Sequence, residues 1–544
     1  MKRLNARFIL FVLCLLLGLI LRLNGITWGI PIDSINHTPL HPDEVWAMSV
    51  LSQLNIDNLD FNPEEAHREG TLAYFIWGIG AYLLKLSGWI QNTPYIGQPY
   101  NHDYSSVLLM GRIVTIFADV LSGVLIFLTV NLCTRQFIPS LIGMLIFFVT
   151  PFEVIHSHYM RTHVIANTFI CSVIYFSFRL ATSNSPILFL IIGLLSGLGI
   201  ATRYPTGAIL IVPASIILYK SLNTHKSKFF TATHIKRFFL NYGSLLIIIG
   251  LSIGLFIGVP FLFLDFESAK PHLFHQATYA AHEEFTWIGL LKLDRLAIYI
   301  NYLIPYGSLP LLWILFYSSI ALLLIFRMHL KYVISLICFI CVYLYLMAKG
   351  YFASAIFIRA AIPIFPPLAI CCGLALDATF QKFSNKVRIT ATLLYLVFII
   401  PSILYLVSYT NSMKSDARID LAKHIRETWN RKTLRIGAYT HSHNYITIKP
   451  AFDGLKNYNI TLTERDSFAN TDNSDIDFLV LSSFEYSDYV TMKERSNWLK
   501  KSGKFRKIKA FNSDLNLYGI SYNYDRNPHD LSYPLVSLEL WKRN

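Results

Sequence analysis

Two adjacent carboxylates follow the first apolar stretch of the chain, in the tetrapeptide His41-Pro42-Asp43-Glu44. A carboxylate at the edge of a low-dielectric region can accept a proton from a hydroxyl group and so act as a general base. We predict that Asp43 is this base, that Glu44 has a positioning role, and that His41 is an accessory residue. Taken alone, the tetrapeptide favours the alternative, an ordinary solvated loop with two acids, and it is motifs elsewhere in the chain that favour the base.

Three histidines lie near one another in the sequence, at His156, His158 and His163. Clustered imidazoles can bind a divalent metal, but histidines at a membrane interface more often make hydrogen bonds. We therefore predict no metal site and no cofactor, and keep a divalent metal at these residues as the alternative. The spacing of Cys338 and Cys341 also resembles a metal site, yet their apolar surroundings favour simple packing.

The composition indicates which elements must position these residues. Hydrophobic residues make up 54% of the 544 residues and charged residues only 15%, whereas soluble domains carry about 25% charged residues. Residues 411–544 hold 37 of the 80 charged side chains, and the other 43 are spread over the three times longer region 1–410. We predict a catalytic membrane domain at 1–410 and a soluble domain at 411–544.

The membrane domain is predicted to contain about eleven transmembrane helices, because a helix needs about 20 mostly apolar residues to cross the hydrocarbon. Asp119 lies inside one of them and should pair with a neighbouring helix. Segment 71–90 carries Lys85 among aromatic residues and is predicted to lie along the membrane surface. The predicted spans are near 7–26, 105–131, 137–155, 164–181, 186–202, 205–220, 240–263, 298–326, 332–348, 356–377 and 389–409.

The distribution of basic residues predicts the orientation. Lys2, Arg3 and Arg7 place the N-terminus in the cytoplasm. An odd number of spans then puts 411–544 on the extracytoplasmic side of a plasma (inner) membrane. Outer loops at 25–104 and 264–297 hold nine and five acids, so we expect the chemistry on that face.

The soluble domain alternates helical and strand patterns and is predicted to be a small α/β domain. It has no phosphate-binding loop and no nucleophile motif, which favours a structural or acceptor-recognition role. The net charge of +14 suits a membrane surface, and no nucleic-acid-binding pattern is present. Its predicted helices are 416–429 and 485–501, and its predicted strands are 434–439, 476–481, 505–511 and 535–540.

Four motifs occur in an order that resembles a known family. They are the pair Asp43-Glu44, an Arg at the start of the second span (Arg112), a Gly-rich helix that ends in Arg203, and Arg359 followed by a Pro-rich helix start. Together they resemble the GT-C class of membrane glycosyltransferases. Within it, most of 1–410 is similar to the protein O-mannosyltransferases and lipid A aminoarabinose transferases, often called glycosyltransferase family 39.

The chain differs from that family at one position. It also lacks a motif of a related family, the oligosaccharyltransferases. Many relatives carry an acid after a Ser-His-Tyr-like stretch, and here His163 stands at that place. A second carboxylate role is therefore in doubt. The Trp-Trp-Asp motif of oligosaccharyltransferases is absent, which argues against transfer of a preassembled glycan to Asn.

The resemblance implies a GT-C fold and a polyprenyl-phosphate-linked sugar as donor, in a cell-envelope glycosylation reaction at the membrane lipids. The acceptor would be a hydroxyl group on a protein, lipid or glycan, and one displacement would invert the anomeric centre. Cations at outer helix ends would neutralise the leaving phosphate. The candidates for this role are Arg203, Lys349 and Arg359, with Arg112, His158, Arg161 and His163 as accessory residues.

Two alternatives remain at this point. A transporter or flippase of lipid-linked saccharides would be expected to show internal repeats and a site at mid-membrane, and neither is evident in the sequence. A non-catalytic membrane scaffold would use the soluble domain to bind a partner. Loss of activity on mutation of Asp43 would exclude both.

Overall fold

The structure is a computed structural model that describes most residues of the chain. They are 2–31, 39–55, 60–91, 102–183, 185–224, 242–280, 294–348, 358–429, 433–439, 451, 460–465, 476–483, 492–512, 515–517, 520–521, 529–531 and 533–544.

The first half of the chain is almost entirely helical. Short 3-10 turns lie at Glu64–Arg68 and Tyr204–Leu210. The helices are α1 Lys2–Leu23, α2 Pro42–Leu51, α3 Leu72–Leu86, α4 His102–Thr134, α5 Phe137–Phe148, α6 Pro151–Ser157, α7 Thr162–Leu180, α8 Pro186–Thr202, α9 Ile211–Thr224, α10 Tyr242–Gly258, α11 Phe261–Leu264 and α12 Phe266–Ala280.

The second half continues with helices and ends in a sheet. A π-helical turn at Tyr299–Leu303 and a 3-10 turn at Ile358–Ile364 interrupt it. The remaining helices are α13 Asp294–Ile298, α14 Ile304–Ser308, α15 Pro310–Phe326, α16 Leu330–Ala348, α17 Phe365–Lys382, α18 Asn385–Ser412, α19 Ala417–Trp429 and α20 Met492–Ser502. The strands are β1 Leu434–Tyr439, β2 Ile460–Arg465, β3 Phe478–Ser482, β4 Phe505–Phe511, β5 Asn516–Leu517, β6 Ile520–Ser521 and β7 Leu538–Arg543.

The chain is a multi-pass membrane protein by the length and composition of its helices. Within the described residues, seven helical segments are long and apolar enough to cross a membrane, and two bent helix pairs raise the number to nine. The predicted spans 186–202 and 240–263 lie on α8 and α10, apolar helices of 17 residues each. The polytopic helical class is confirmed, and most of the described residues in the predicted spans are helical.

Two predicted spans, 137–155 and 298–326, are broken. The apolar run 137–155 contains a bend of 58° between α5 and α6. Pro151 stands at the first position of α6, and proline lacks the N–H that would continue the α5 hydrogen-bond ladder. The break turns α6 and the segment after it away from the axis of α5.

Close backbone contact joins α8 to α10. A Cβ atom added at Gly193 would lie 2.2 Å from the carbonyl oxygen of Ile247, and one at Gly197 would lie 2.4 Å from that of Leu251. Small residues let membrane helices approach in this way, because packing drives their association in lipid. The Gly-rich pattern of α8 is therefore explained by helix packing.

The predicted pairing of Asp119 is confirmed. The Nε atom of Arg22 on α1 donates to Asp119 Oδ2 at 2.5 Å, and both side chains are fully buried. Arg22 Nη1 also donates to the carbonyl oxygens of Gly18 and Phe148. The pair thus connects α1 to α4 and to the end of α5.

The C-terminal residues form the predicted α/β domain. Five strands lie in the order β2-β1-β3-β7-β4, with β1 parallel to β2 and β3, and with β7 antiparallel to β3 and β4. Strands β1 and β4 have the predicted bounds, whereas β7 begins three residues later than predicted. A buried cluster that includes Leu479, Leu499 and Trp541 forms the core beside the sheet.

The chain folds into two compact units. The first contains Met1–Leu23, Gln53–Ile79 and Arg112–Leu406, and the second contains Asn24–Ser52, Gly80–Gly111 and Val407–Asn544. The second unit therefore includes two N-terminal segments that composition assigned to the membrane domain. The division of the chain at 410/411 stays a prediction.

Candidate functional site

Two of the predicted residues lie at the start of α7, in the first unit. Arg161 is the N-cap residue of this helix, and His163 is in its first turn. Both side chains are more than nine-tenths buried. The N-terminus of this 19-residue helix carries the positive end of the helix dipole, which favours an anion.

Arg203 lies at the other side of the same region, where α8 ends. Its backbone is extended, and Pro205 two residues later prevents the helix from continuing. The Nη1 atom of Arg203 is 3.4 Å from Glu69 Oε2, and the Arg203 side chain is 8% exposed. The end of α8 thus presents a buried cation to a carboxylate from the segment before α3.

Arg359 lies in the 3-10 turn Ile358–Ile364 that begins the segment ending in α17. This turn is held by Tyr343 of α16, whose hydroxyl donates to the carbonyl oxygen of Ala360 at 2.9 Å. The charge of Arg203 acts on Tyr343, so Arg203 lies within electrostatic reach of the tyrosine that holds this turn.

Arg161, Arg203 and Arg359 lie within electrostatic reach of His163, and we call these four residues the arginine cluster. The charges of all three arginines act on the His163 ring. Neither ring nitrogen of His163 has a hydrogen-bond partner within the described part of the chain, and the same holds for Arg203 Nε. Buried polar atoms are nearly always bonded, so the arginine cluster has the donors that a bound anion would satisfy.

Glu69 belongs to this site and was missed in the sequence. Thr162 Oγ1 donates to Glu69 Oε2 at 3.2 Å, and the backbone N–H of Tyr204 donates to the Glu69 carbonyl oxygen at 3.2 Å. The next residue, Gly70, has φ +130° and would place a Cβ atom 2.5 Å from the carbonyl oxygen of Ala201. A signal was present, since this acid lies in the acid-rich loop directly before an apolar helix.

The turn before Glu69 is fixed by a buried histidine. His67 Nε2 and Asn62 Oδ1 are 2.9 Å apart, and Asn62 Nδ2 donates to Ser268 Oγ at 2.8 Å. Burial, with a smaller contribution from the charge of His272, lowers the pKa of His67 to about 4. The ring is therefore neutral at physiological pH, and the 3-10 turn Glu64–Arg68 is held by neutral hydrogen bonds.

Two accessory candidates are buried near the start of α7. The guanidinium group of Arg112 on α4 lies 6.0 Å from the ring centroid of Tyr159. His158 Nδ1 and the carbonyl oxygen of Val154 are 2.7 Å apart, within hydrogen-bond distance. Both side chains are fully buried. Their contacts shape the segment between α6 and Arg161.

The acid pair lies in the second unit, at the start of α2. His41 is the N-cap residue, and its Nδ1 accepts a hydrogen bond from the backbone N–H of Asp43 at 3.3 Å. Asp43 is half-buried, and Glu44 is fully buried. Acids in a first helical turn are stabilised by the helix dipole, so the fold holds this pair in a helix rather than in a solvated loop.

The remaining predictions concern a cation and a metal. Lys349 lies outside the described residues. Among the residues that are described, no group of three or more His, Cys, Asp or Glu side chains is arranged to hold a metal ion. His156 and His163 do lie within electrostatic reach of each other.

Comparison with known proteins supports the resemblance. Residues 105–253 match the model of the family described as dolichyl-phosphate-mannose-protein mannosyltransferase. This region contains Arg112, Arg161, His163 and Arg203. The predicted resemblance to membrane glycosyltransferases is therefore confirmed for that part of the chain.

Two solved structures are also similar. One is ArnT from Cupriavidus metallidurans bound to undecaprenyl phosphate, with 11% identity over 98% of this chain and 97% of that chain and a TM-score of 0.47. The other is ArnT from the same organism in the apo state, with 10% identity over 99% and 98% of the two chains and a TM-score of 0.47. A search of curated proteins gives no match.

Proposed function

We propose that this protein is a glycosyltransferase that moves a sugar from a polyprenyl-phosphate-linked donor to a hydroxyl acceptor, with inversion at the anomeric centre. The family match over 105–253 supports the reaction class. The single observation that carries the proposal is the arginine cluster, in which the ring nitrogens of His163 have no hydrogen-bond partner among the described residues. A sugar-carrying lipid phosphate is an anion that reaches a membrane protein by diffusion in the bilayer.

The arginine cluster is assigned to the donor phosphate. As the glycosidic bond breaks, negative charge develops on the lipid phosphate, and buried guanidinium groups stabilise it by charge-assisted hydrogen bonds. Arg203 and Arg359 have this role, and Arg161 and His163 assist them. Glu69 is 3.4 Å from Arg203 and orients its guanidinium group.

Asp43 is assigned to the acceptor. Its carboxylate takes the proton of the acceptor hydroxyl, whose oxygen attacks the anomeric carbon while the lipid phosphate leaves. Glu44 has a positioning role because its side chain is fully buried, whereas that of Asp43 is half-buried. We assign the chemistry and residues 411–544 to the extracytoplasmic face of the plasma membrane, because the basic N-terminus favours the cytoplasm.

The donor assignment is tested by binding of a polyprenyl-phosphate sugar to purified variants. Arg359→Ala should weaken binding about 10–100-fold, since a hydrogen bond to a charged group contributes about 1.5–3 kcal/mol. Arg327→Ala is the control, because Arg327 lies at the C-cap of α15 and outside the arginine cluster. Equal effects of the two substitutions would remove Arg359 from the site.

His163 offers a sharper test. If His163 served only packing, His163→Phe would keep or raise stability, because two unbonded polar atoms would be replaced by an apolar ring. Donor binding would then be unchanged. We expect a folded variant with weakened donor binding, measured beside Arg179→Ala, which alters the exposed opposite end of the same helix.

The base assignment is tested by Asp43→Asn, which keeps the shape of the side chain but cannot accept the proton. The transfer rate should fall by about 10²–10⁴ while donor binding survives. Glu44→Gln should have a smaller effect. An Asp43→Asn protein with normal turnover would refute the mechanism and reopen the transporter and scaffold alternatives.

A further inference from the structure

The segment that carries the acid pair begins with a tight contact in the second unit. Gly29 has φ +66°, and its carbonyl oxygen accepts a hydrogen bond from the Leu40 backbone N–H at 3.1 Å. A Cβ atom added at Gly29 would lie 2.9 Å from Leu40 Cβ. Because Trp28 precedes Gly29 and His41 follows Leu40, this contact brings the backbones of Trp28 and His41 near each other in space.

A buried ion pair from the C-terminal region holds Trp28. The Asp416 carboxylate accepts hydrogen bonds from Arg418 Nε and Nη2 at 2.9 and 2.8 Å, and from Trp28 Nε1 at 3.1 Å. The Arg418 guanidinium group also lies 5.6 Å from the Trp28 ring centroid. All three side chains are at least 97% buried, so the bidentate pair of Asp416 and Arg418 is shielded from solvent.

The same arginine holds a segment near the C-terminus. Arg418 Nη2 donates to the carbonyl oxygen of Tyr533 at 2.8 Å, and the Tyr409 hydroxyl donates to that of Leu531 at 3.0 Å. The Tyr533 ring lies against the His41 ring, with centroids 4.4 Å apart. His41 in turn accepts the N–H of Asp43 at the start of α2.

We propose that the C-terminal region is a positioning element for the acid pair, acting through Arg418, Tyr533 and His41. The inference rests on the proposed function, since it concerns the residues assigned to the acceptor proton. Tyr533 fixes the plane of the His41 ring. That plane orients the Nδ1 atom that accepts the Asp43 N–H, and this hydrogen bond positions the start of α2, where Asp43 and Glu44 lie. The soluble domain is then part of the catalytic apparatus rather than an appended cap.

The alternative is that these contacts only stabilise the fold, and the two readings differ in what a substitution changes. We would compare Tyr533→Leu with Phe478→Leu, because Phe478 is a buried ring of the same unit that packs on Trp429, with centroids 4.6 Å apart. Two properties are measured on the full chain in detergent. They are hydrogen exchange of amides 42–51 and steady-state transfer with a lipid-linked sugar.

Tyr533→Leu should speed amide exchange in 42–51 about tenfold and lower kcat about 10–100-fold, with the donor KM little changed, as expected for a misplaced reacting group. Tyr533→Phe keeps the ring and should restore most of kcat. Arg418→Lys, which loses the bidentate contact, should give the same pattern and serves if Tyr533→Leu does not fold. Phe478→Leu should leave the exchange of 42–51 unchanged.

The outcomes separate this inference from the proposed function. Normal exchange in 42–51, or faster exchange with unchanged kcat, would overturn the positioning role. The same holds if Phe478→Leu matches Tyr533→Leu in both measurements. Normal turnover of Asp43→Asn would instead overturn the proposed function, and the exchange data would still decide whether Tyr533 holds the acid segment.

Discussion

Replacing Gly197 by Ala tests how the contact between α8 and α10 positions the arginine cluster. The added Cβ atom would meet the Leu251 carbonyl oxygen at 2.4 Å and the Gly254 Cα at 2.9 Å. Ordinary contact begins near 3.4 Å. Because the obstacle is helix backbone rather than a flexible side chain, α8 and α10 must separate locally by about 1 Å.

The cost has two parts. Overpacking of this kind destabilises a protein by about 1–3 kcal/mol, which lowers the folded-to-unfolded ratio about 5–150-fold. Arg203 follows Gly197 by less than two helical turns, so the displacement reaches the arginine cluster. A shift of about 1 Å in a reacting group can cost about 10² in rate.

The assay uses denaturant unfolding in mixed micelles together with donor binding. Gly207→Ala is the matched control, since its Cβ atom would meet only the Ile200 side chain, at 3.5 Å. We expect Gly197→Ala to unfold earlier and bind the donor more weakly, and Gly207→Ala to behave as the native chain. Equal stability of the two variants would refute the backbone-contact argument.

Three further predictions follow from particular contacts. Asp119→Ala leaves the buried Arg22 without its carboxylate and should cost about 3–5 kcal/mol, whereas Arg22→Met with Asp119→Leu should recover most of this in the same unfolding assay. His67 has a folded pKa of about 4 against an ordinary value of 6.5, so folding releases its proton. The neutral His67 ring therefore stabilises the folded state fully above pH 6.5, and on the order of 3 kcal/mol of this stability is lost as the pH falls toward 4. Hydrogen exchange of residues 62–70 at several pH values would detect the loss. His67→Gln should abolish this pH dependence. A Cys introduced at the exposed Lys509 should react with an impermeant thiol reagent in intact cells or spheroplasts, and labelling only after lysis would reverse the proposed orientation.

The membrane helices were predictable because lipid leaves the backbone few choices. A spanning segment must satisfy its own hydrogen bonds, so a run of about 20 apolar residues is nearly always a helix. The sequence did not predict where such a run breaks. The bend of 58° before Pro151 needed the structure, because a proline at the first turn of a helix is also compatible with a new straight helix.

The C-terminal α/β region was predictable only in its most apolar or most regular elements. Strands β1 and β4 have the expected bounds, whereas β2 was missed. Its sequence, ITLTER, alternates apolar and polar residues over only a few positions, a weak signal beside its long unassigned flanks. The register of β2 against β1 comes from the sheet and not from local pattern.

The site was predictable by residue type but not by partner. Arg161, Arg203 and Arg359 could be selected because each stands at the end of an apolar stretch. Glu69 stands in the acid-rich loop before an apolar helix, but its partner could not be predicted. Arg203 is far away in the sequence, and only the close approach of Gly70 to Ala201 brings the two residues together. The inclusion of 24–52 in the second unit was missed for the same reason.

The incomplete bonding of this site argues for a ligand rather than for a structural role. If His163 and Arg203 served stability alone, an apolar side chain of similar size would replace them at little cost, because unbonded buried polar atoms are destabilising. Both ring nitrogens of His163 and the Nε of Arg203 nevertheless have no hydrogen-bond partner within the described residues. Glu69 forms an ion pair with Arg203 Nη1 at 3.4 Å but accepts no hydrogen bond from it. The donors left over suit the lipid phosphate of the proposed sugar donor, an anion that would arrive and leave in each catalytic cycle.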